Sequence, residues 1–75
     1  MKLKTAKEIG NRIKKLRSDI DLSQEKLSYK CNLHRTYIGA IERGEKSPTI
    51  ETLIKITAAL DISLSEFLKD FEKEI

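Results

Sequence analysis

The stretch from Leu22 to Gly44 constrains the fold of this chain more than any other, because it predicts two short helices joined by a tight turn. Ser23 is a good N-cap for the first helix, since its hydroxyl can accept a hydrogen bond from the opening turn. Leu27 and Cys31 lie four residues apart and therefore share one buried stripe. Asn32 ends this helix, because asparagine is one of the few residues that accept a left-handed conformation.

The second helix of this stretch is predicted from about Arg35 to Arg43, with Gly44 as its stop. Ile38 and Ile41 form its buried stripe. Two helices joined by such a short turn form a helix-turn-helix unit, which occupies about residues 23–43 here. This geometry leaves the outer face of the second helix free to enter a groove of double-stranded DNA.

Helices are also predicted on both sides of this unit. The first covers about Ala6 to Asp19, after a capping box formed by Thr5 and Glu8. Its apolar residues recur at spacings of three and four, which is a helical period. This stripe consists of Ala6, Ile9, Ile13, Leu16 and Ile20. The fourth helix covers about Ile50 to Leu60 and follows Thr49, a good N-cap.

The fifth helix follows a second capping box, Ser63 to Glu66, and is predicted to run to about residue 74. No internal repeat, low-complexity segment or Gly/Ser linker interrupts the chain. Its 75 residues suffice for one domain and no more. We therefore predict a single all-α domain of five helices over residues 1–75.

Charge is distributed unevenly along the chain, which has a net charge of +3. Residues 1–46 carry twelve lysines and arginines against six acidic residues, whereas residues 47–75 carry three against six. A basic half and an acidic half suit a protein with one face on DNA and another turned away from it. Charge alone leaves open the alternative of scattered, solvated surface charge.

The composition excludes several classes of protein. One cysteine forms no internal disulfide, which predicts a reducing, cytoplasmic location. One histidine and one cysteine do not make a metal site, and they have no partners for a catalytic triad, so we expect neither a cofactor nor an enzyme. No apolar run is long enough for a membrane span, and no apolar stretch follows the N-terminal lysines as in a signal peptide.

The sequence also resembles a known family, the helix-turn-helix proteins of the phage repressor and Cro type. The matching residues are Leu22 to Leu27, Leu33, Arg35 to Ile38, Ile41 to Gly44, and Pro48 with Thr49. More narrowly, HRTYIGAIERGEKSPTIETL resembles the controller proteins of bacterial restriction–modification systems. The resemblance implies a repressor-like, sequence-specific transcription regulator that acts as a homodimer on a palindromic operator, here ahead of a restriction–modification operon. RNA polymerase is then a further candidate partner.

Two charged residues receive a structural role from this resemblance. Family members that match at Arg17 often pair this arginine with the glutamate near the end of the recognition helix, which is Glu42 here. Such a pair would clamp the first helix to the third. The alternative is that both side chains are simply exposed.

The second helix of the motif supplies the candidate base contacts. Arg35 is the main candidate, because its guanidinium matches the O6 and N7 of guanine, although the same side chain can bind a phosphate instead. Thr36 can offer a hydroxyl to a base or phosphate and a methyl to thymine. Gly39 would permit close approach of the helix to DNA, unless it is only a tolerated surface residue. Ala40 can touch a thymine methyl.

Phosphate contacts are expected from residues at both ends of the motif. Gln24 lies at the N-terminus of the first motif helix, where free N–H groups attract an anion, and the resemblance implies the same contact. His34 replaces the Ser, Thr or Asp usual in the family and, as a poorer cap, would reach a phosphate instead. Tyr37 would combine packing with a phosphate contact. The remaining candidates are Arg43, Lys46 and Ser47, of which Lys46 has the alternative of a solvated loop lysine.

A dimer is expected because a single recognition helix reads only a few base pairs. Helices four and five, over residues 49–74, contain more apolar residues than one small core needs, and they are the predicted dimer surface. The predicted interface residues are Ile50, Leu64, Phe67, Phe71 and Ile75. The competing interpretation places Phe67 and Leu68 in the core. The competing function is an antitoxin or protein-interaction module with the same fold.

Overall fold

The computed structural model describes residues 5–69 and residue 71, and this part of the chain folds into five helices without a strand. The helices are α1 (Thr5–Asp19), α2 (Gln24–Cys31), α3 (Arg35–Glu42), α4 (Ile50–Ala59) and α5 (Leu64–Leu68). The predicted all-α fold of five helices is confirmed. Helix α5 is described over Leu64–Leu68, and most of the rest of its predicted range, like Ile75, lies outside the described residues. None of the described helices has the length and apolarity needed to cross a membrane.

N-caps begin three of the helices as the sequence predicts. The hydroxyls of Ser23, Thr49 and Ser63 each accept a hydrogen bond from the backbone N–H three residues later, at distances of 3.1, 3.1 and 3.0 Å. Each bond satisfies one of the donors that a helix N-terminus leaves unpaired. Thr5 differs, because α1 already begins at this residue and Thr5 is helical rather than the predicted cap.

The turns between the helices share one backbone device. In each, one residue adopts a left-handed conformation, and the amide of the next residue donates to the carbonyl oxygen five positions back, which is the bond of a Schellman motif. The left-handed residues are Asp21, Asn32, Gly44 and Asp61. The predicted helix end at Asn32, with φ of 57°, is confirmed. After the three non-glycine residues, an apolar side chain packs against the core; these are Leu22, Leu33 and Ile62.

The core lies between all five helices. Its fully buried apolar residues are Ile13, Leu27, Ile38, Ile41, Ile56 and Phe67. Two predictions are wrong here. Ile20 is 51% exposed, because α1 ends at Asp19 and the helical stripe ends with it. Phe67 is 0% exposed and is a core residue, so it cannot form a dimer interface.

The side chain of Arg12, on α1, lies over the buried ring of Phe67. The guanidinium of Arg12 lies 5.6 Å from the centroid of the Phe67 ring, and its Nε donates a 3.0 Å hydrogen bond to the Phe67 carbonyl oxygen. This contact joins α1 to α5 and combines a cation–π interaction with the satisfaction of a helix-end carbonyl. The competing interpretation, which placed Phe67 in the core, is confirmed.

Gly10 sets the distance between α1 and α3. It is buried, and a Cβ atom at this position would lie 2.1 Å from the carbonyl oxygen of Ile41 and 2.9 Å from that of Glu42. No side chain fits in that space. The close backbone contact fixes the end of α3 against α1, and so it positions the helix that carries the candidate DNA contacts.

Candidate nucleic-acid interface

Helix α3 presents one face to the core and another to solvent. Ile38 and Ile41 are 0% exposed and anchor the inner face. Arg35 and Thr36 are exposed in the first turn, and Arg43 is exposed just after the last turn. The predicted recognition helix is therefore held by its apolar face with its polar face outward, which is the arrangement that major-groove reading requires.

His34 is the N-cap of α3, contrary to the sequence-based expectation of a poorer cap. Its Nδ1 accepts a 3.1 Å hydrogen bond from the backbone N–H of Thr36. A neutral imidazole that accepts at Nδ1 carries its proton on Nε2. The capping bond thus leaves Nε2–H as the donor for an outside group, and a phosphate contact remains compatible with the cap.

Arg17 and Glu42 form the predicted clamp. Nε and Nη2 of Arg17 donate to the two carboxylate oxygens of Glu42 at 2.7 and 3.0 Å. The two side chains are only 13% and 2% exposed, so the alternative of two exposed charges is wrong. Nη1 of Arg17 also donates to the carbonyl oxygen of Leu22 at 2.7 Å. The pair ties the end of α1 to the end of α3 and to the turn before α2.

Gln24 extends this clamp, a contact that sequence analysis did not find. Its Nε2 donates a 2.8 Å hydrogen bond to Oε1 of Glu42, so α2 joins the same network. The sequence carries no signal for this bond, because it depends on how α2 and α3 pack. An amide has two N–H donors, and the second keeps the predicted phosphate contact of Gln24 possible.

Both exposed arginines of the outer face lie beside glutamates. Nη1 of Arg35 is 3.6 Å from Oε2 of Glu25, and both side chains are more than half exposed. Arg43 donates from Nε and Nη2 to the carboxylate of Glu45 at 2.7 and 3.1 Å. This hydrogen-bonded pair raises the pKa of the Arg43 guanidinium and lowers the pKa of the Glu45 carboxyl. Neither ion pair was predicted from the sequence.

Two predicted contacts of α3, Gly39 and Ala40, are more buried than expected. A Cβ at Gly39 would lie 3.0 Å from Nη1 of Arg43 and 3.6 Å from Oε1 of Gln24, so this glycine lies beneath two polar side chains. Ala40 is only 7% exposed, which leaves its methyl little surface for a thymine and argues against the predicted base contact. Tyr37 is half-buried and packs against the core, as its packing interpretation predicted.

One open surface groove of about 390 Å³ brings together half of the candidate contacts. Its lining residues are Gln24, Glu25, Arg35, Thr36, Gly39 and Arg43. The groove joins the outer faces of α2 and α3, so residues separated by up to 19 positions form one surface. Lys46 and Ser47 are exposed in the loop that follows α3.

Comparison with known proteins agrees with this geometry. The family model described as helix-turn-helix matches residues 13–67, which include all of α2, α3 and α4. The chain belongs to the helix-turn-helix family. The predicted family and fold are thus confirmed, as is the prediction that the chain is a DNA-binding transcription regulator rather than an enzyme.

Within this family, the chain is similar to several controller proteins. Control protein C.MunI from Mycoplasma sp is 47% identical over 66 residues, which are 87% of this chain and 89% of that protein. Control protein C.BamHI from Bacillus amyloliquefaciens is 40% identical over 60 residues, which are 79% and 74% of the two chains. A third match is the crystal structure of the restriction–modification controller protein C.Esp1396I, a tetramer in complex with its natural 35-base-pair operator. The two sequences are 38% identical and the TM-score is 0.83. The match covers 99% of this chain and 96% of that chain.

Proposed function

We propose that this protein is a controller of a restriction–modification operon, which binds a palindromic operator as a homodimer. The observation that carries the proposal is the outward face of α3, where Arg35 and Thr36 share one groove with Gln24 and Arg43. The clamp of Arg17 and Glu42 fixes this helix against α1. The identity to control proteins over most of the chain supports the choice of operon.

The proposed contacts divide into base reading and backbone positioning. Arg35 and Thr36 contact base edges. Gly39 has no side chain, which lets α3 approach the floor of the DNA major groove. Phosphate contacts are assigned to the polar side chains around them, namely Gln24, His34 through Nε2, Tyr37, Arg43, Lys46 and Ser47. RNA polymerase is a second proposed partner, because a regulator of this kind acts at a promoter.

The cytoplasm is the proposed location of the protein. Cys31 is a free, buried cysteine, and burial raises the pKa of its thiol, so it is an inert core residue. A free thiol in the core suits a reducing compartment.

The test of the function is selection of bound duplexes from a random DNA pool at near-physiological salt. We expect an enriched sequence with two inverted halves about one helical turn apart, because a symmetric dimer places its two recognition helices at that spacing. Uniform binding that disappears as salt rises would contradict the proposal and favour the protein-interaction alternative.

Replacing Arg35 by alanine should relax specificity at one base pair in each half-site. The expected loss is about 1–3 kcal/mol of discrimination, because the bidentate contact to guanine is removed. Competition binding with operators permuted at each position measures it. Lys46→Ala is the comparison: it should weaken all duplexes alike and reduce the salt slope by about 1. Equal loss on operator and random duplex for Arg35→Ala would contradict base reading.

The proposed dimer surface lies on α4 and beside α5. Ile50 and Ile54 are 62% and 49% exposed and lie one helical turn apart, so they form one apolar patch on α4. Leu64 and Phe71, two of the predicted interface residues, are half-buried against the core and keep part of their surface. Ile54 was not among the predicted interface residues.

Replacing both Ile50 and Ile54 by lysine should dissociate the dimer without unfolding the protomer. Both side chains are exposed in the protomer, so their replacement should not disturb the core. A symmetric interface contains each side chain once from each protomer, so every substitution removes two apolar side chains from it. We therefore expect the dimer Kd to rise at least about 100-fold. Sedimentation at micromolar concentration measures it. Ile20→Lys is the matched control, since Ile20 is 51% exposed but follows α1. A wild-type protein that sediments as an 8.6 kDa monomer would contradict the interface.

A further inference from the structure

Glu25 lines the candidate DNA surface although it carries the charge that DNA repels. It is the second residue of α2 and lines the same groove as Arg35 and Thr36. Its Oε2 is 3.6 Å from Nη1 of Arg35. An acidic side chain among the candidate phosphate contacts lowers general affinity for DNA, because nonspecific binding depends almost entirely on phosphate neutralisation.

The atoms involved in this ion pair suggest what the glutamate does. Glu25 lies beside Nη1 of Arg35, which leaves Nε and Nη2 as one edge of the guanidinium that can donate two parallel hydrogen bonds to O6 and N7 of guanine. The pair can therefore persist while Arg35 reads a guanine. Arg43 shows the opposite arrangement, since Glu45 occupies Nε and Nη2 themselves.

We propose that Glu25 is a specificity-determining residue that acts through Arg35, an inference that rests on the proposed function. On the operator, Glu25 holds the guanidinium at Nη1 and directs the Nε–Nη2 edge toward guanine. On DNA of random sequence, its carboxylate neutralises Arg35 and repels the nearby phosphates. Glu25 thereby lowers binding to random DNA more than binding to the operator.

A second role of Glu25 has to be separated from this one. A carboxylate in the first turn of α2 also stabilises the helix dipole, and that effect depends on charge alone. The contact with Arg35 depends on side-chain length as well. Glu25→Asp keeps the charge but shortens the reach, whereas Glu25→Gln keeps the length and removes the charge.

The matched control is Asp19→Asn. Asp19 is 54% exposed and pairs with Lys15 at 3.3 Å on the last turn of α1, so this variant also breaks an exposed ion pair and raises the net charge by one. It leaves the groove of α2 and α3 unchanged. Any effect of Glu25→Gln beyond that of Asp19→Asn then belongs to the position of the charge rather than to the net charge.

The experiment measures binding of the full chain to the selected operator, to operators permuted at the base pair read by Arg35, and to a random duplex. For Glu25→Gln we expect affinity for the random duplex to rise about threefold, with a salt slope steeper by about 1, as one more phosphate contact forms. Discrimination at the permuted base pair should fall about threefold or more. Glu25→Asp should lose the discrimination, and its affinity for random duplex should rise less than that of Glu25→Gln, because its carboxylate no longer pairs with Arg35 but still repels the phosphates.

The results distinguish this inference from the proposed function. Equal shifts of Glu25→Gln on operator and random duplex, of the size that Asp19→Asn produces, would overturn the role of Glu25 while the operator itself stands. Failure of the wild-type protein to select an operator would overturn the proposed function before any variant is compared. Discrimination lost in both Glu25 variants, and retained in Asp19→Asn, would support the inference.

Discussion

Replacement of Gly10 by alanine is expected to lower the free energy of unfolding by about 3 kcal/mol or more, a large share of the stability of a small domain. The added Cβ would lie 2.1 Å from the carbonyl oxygen of Ile41, and that atom belongs to the backbone of α3. Neither helix can yield by a side-chain rotation, so α1 and α3 must separate. The better helix propensity of alanine offsets only about 1 kcal/mol of this loss.

Gly39 provides the matched control for Gly10, since it is also a buried glycine inside a helix. A Cβ there would meet Nη1 of Arg43 at 3.0 Å and Oε1 of Gln24 at 3.6 Å, which are the ends of flexible side chains. Gly39→Ala should therefore keep the fold, with stability equal to wild type or up to about 1 kcal/mol higher. Urea unfolding followed by circular dichroism measures both variants. Similar unfolding midpoints for the two would contradict the close contact at Gly10.

The difference between these two glycines shows where sequence analysis reaches its limit. Both interrupt a helical pattern, and from the sequence only Gly39 received a role, because it lies in the motif. The space around a glycine is set by the element that crosses it, and the crossing of α1 and α3 joins residues about thirty positions apart. Local patterns carry no information about that distance.

Features governed by neighbouring residues could be predicted. The caps at Ser23, Thr49 and Ser63 and the left-handed Asn32 depend on chemistry within three or four residues, and the structure confirms all four. The expectation that His34 is a poor cap was wrong, because the frequency of a residue at caps says little about whether one imidazole nitrogen can reach the backbone.

The sequence predicted which residues belong to the candidate site better than it predicted which side chains they contact. The outward position of Arg35 and Thr36 follows from helical periodicity, and their place in one groove with Gln24 follows from the motif. The neighbours of the arginines did not follow, since Glu25 and Glu45 have no periodic relation to their partners. The Arg17–Glu42 pair was expected from family resemblance alone, because no spacing links two residues 25 positions apart.

Arg17→Ala is expected to lower the free energy of unfolding by about 3–5 kcal/mol, because it leaves a buried carboxylate without its partner. Glu42 is 2% exposed, and the bond from Gln24 would be its remaining side-chain contact in this network. The turn would also lose the bond from Arg17 to the Leu22 carbonyl. Urea unfolding measures the change, and Lys15→Ala is the control, since its ion pair with Asp19 is exposed and should contribute about 0.5 kcal/mol or less.

A double-mutant cycle then separates the pair from its surroundings. The cycle compares Arg17→Met, Glu42→Leu and the double variant. The double variant removes both charges and fills the space, so it should recover much of the stability that Arg17→Met alone loses. Sequence preference should change less than stability in these variants, because both residues hold α3 in place without facing the groove. An unchanged unfolding midpoint for Arg17→Ala would show that the packing of Ile38 and Ile41 and the close contact at Gly10 position the recognition helix without the ion pair.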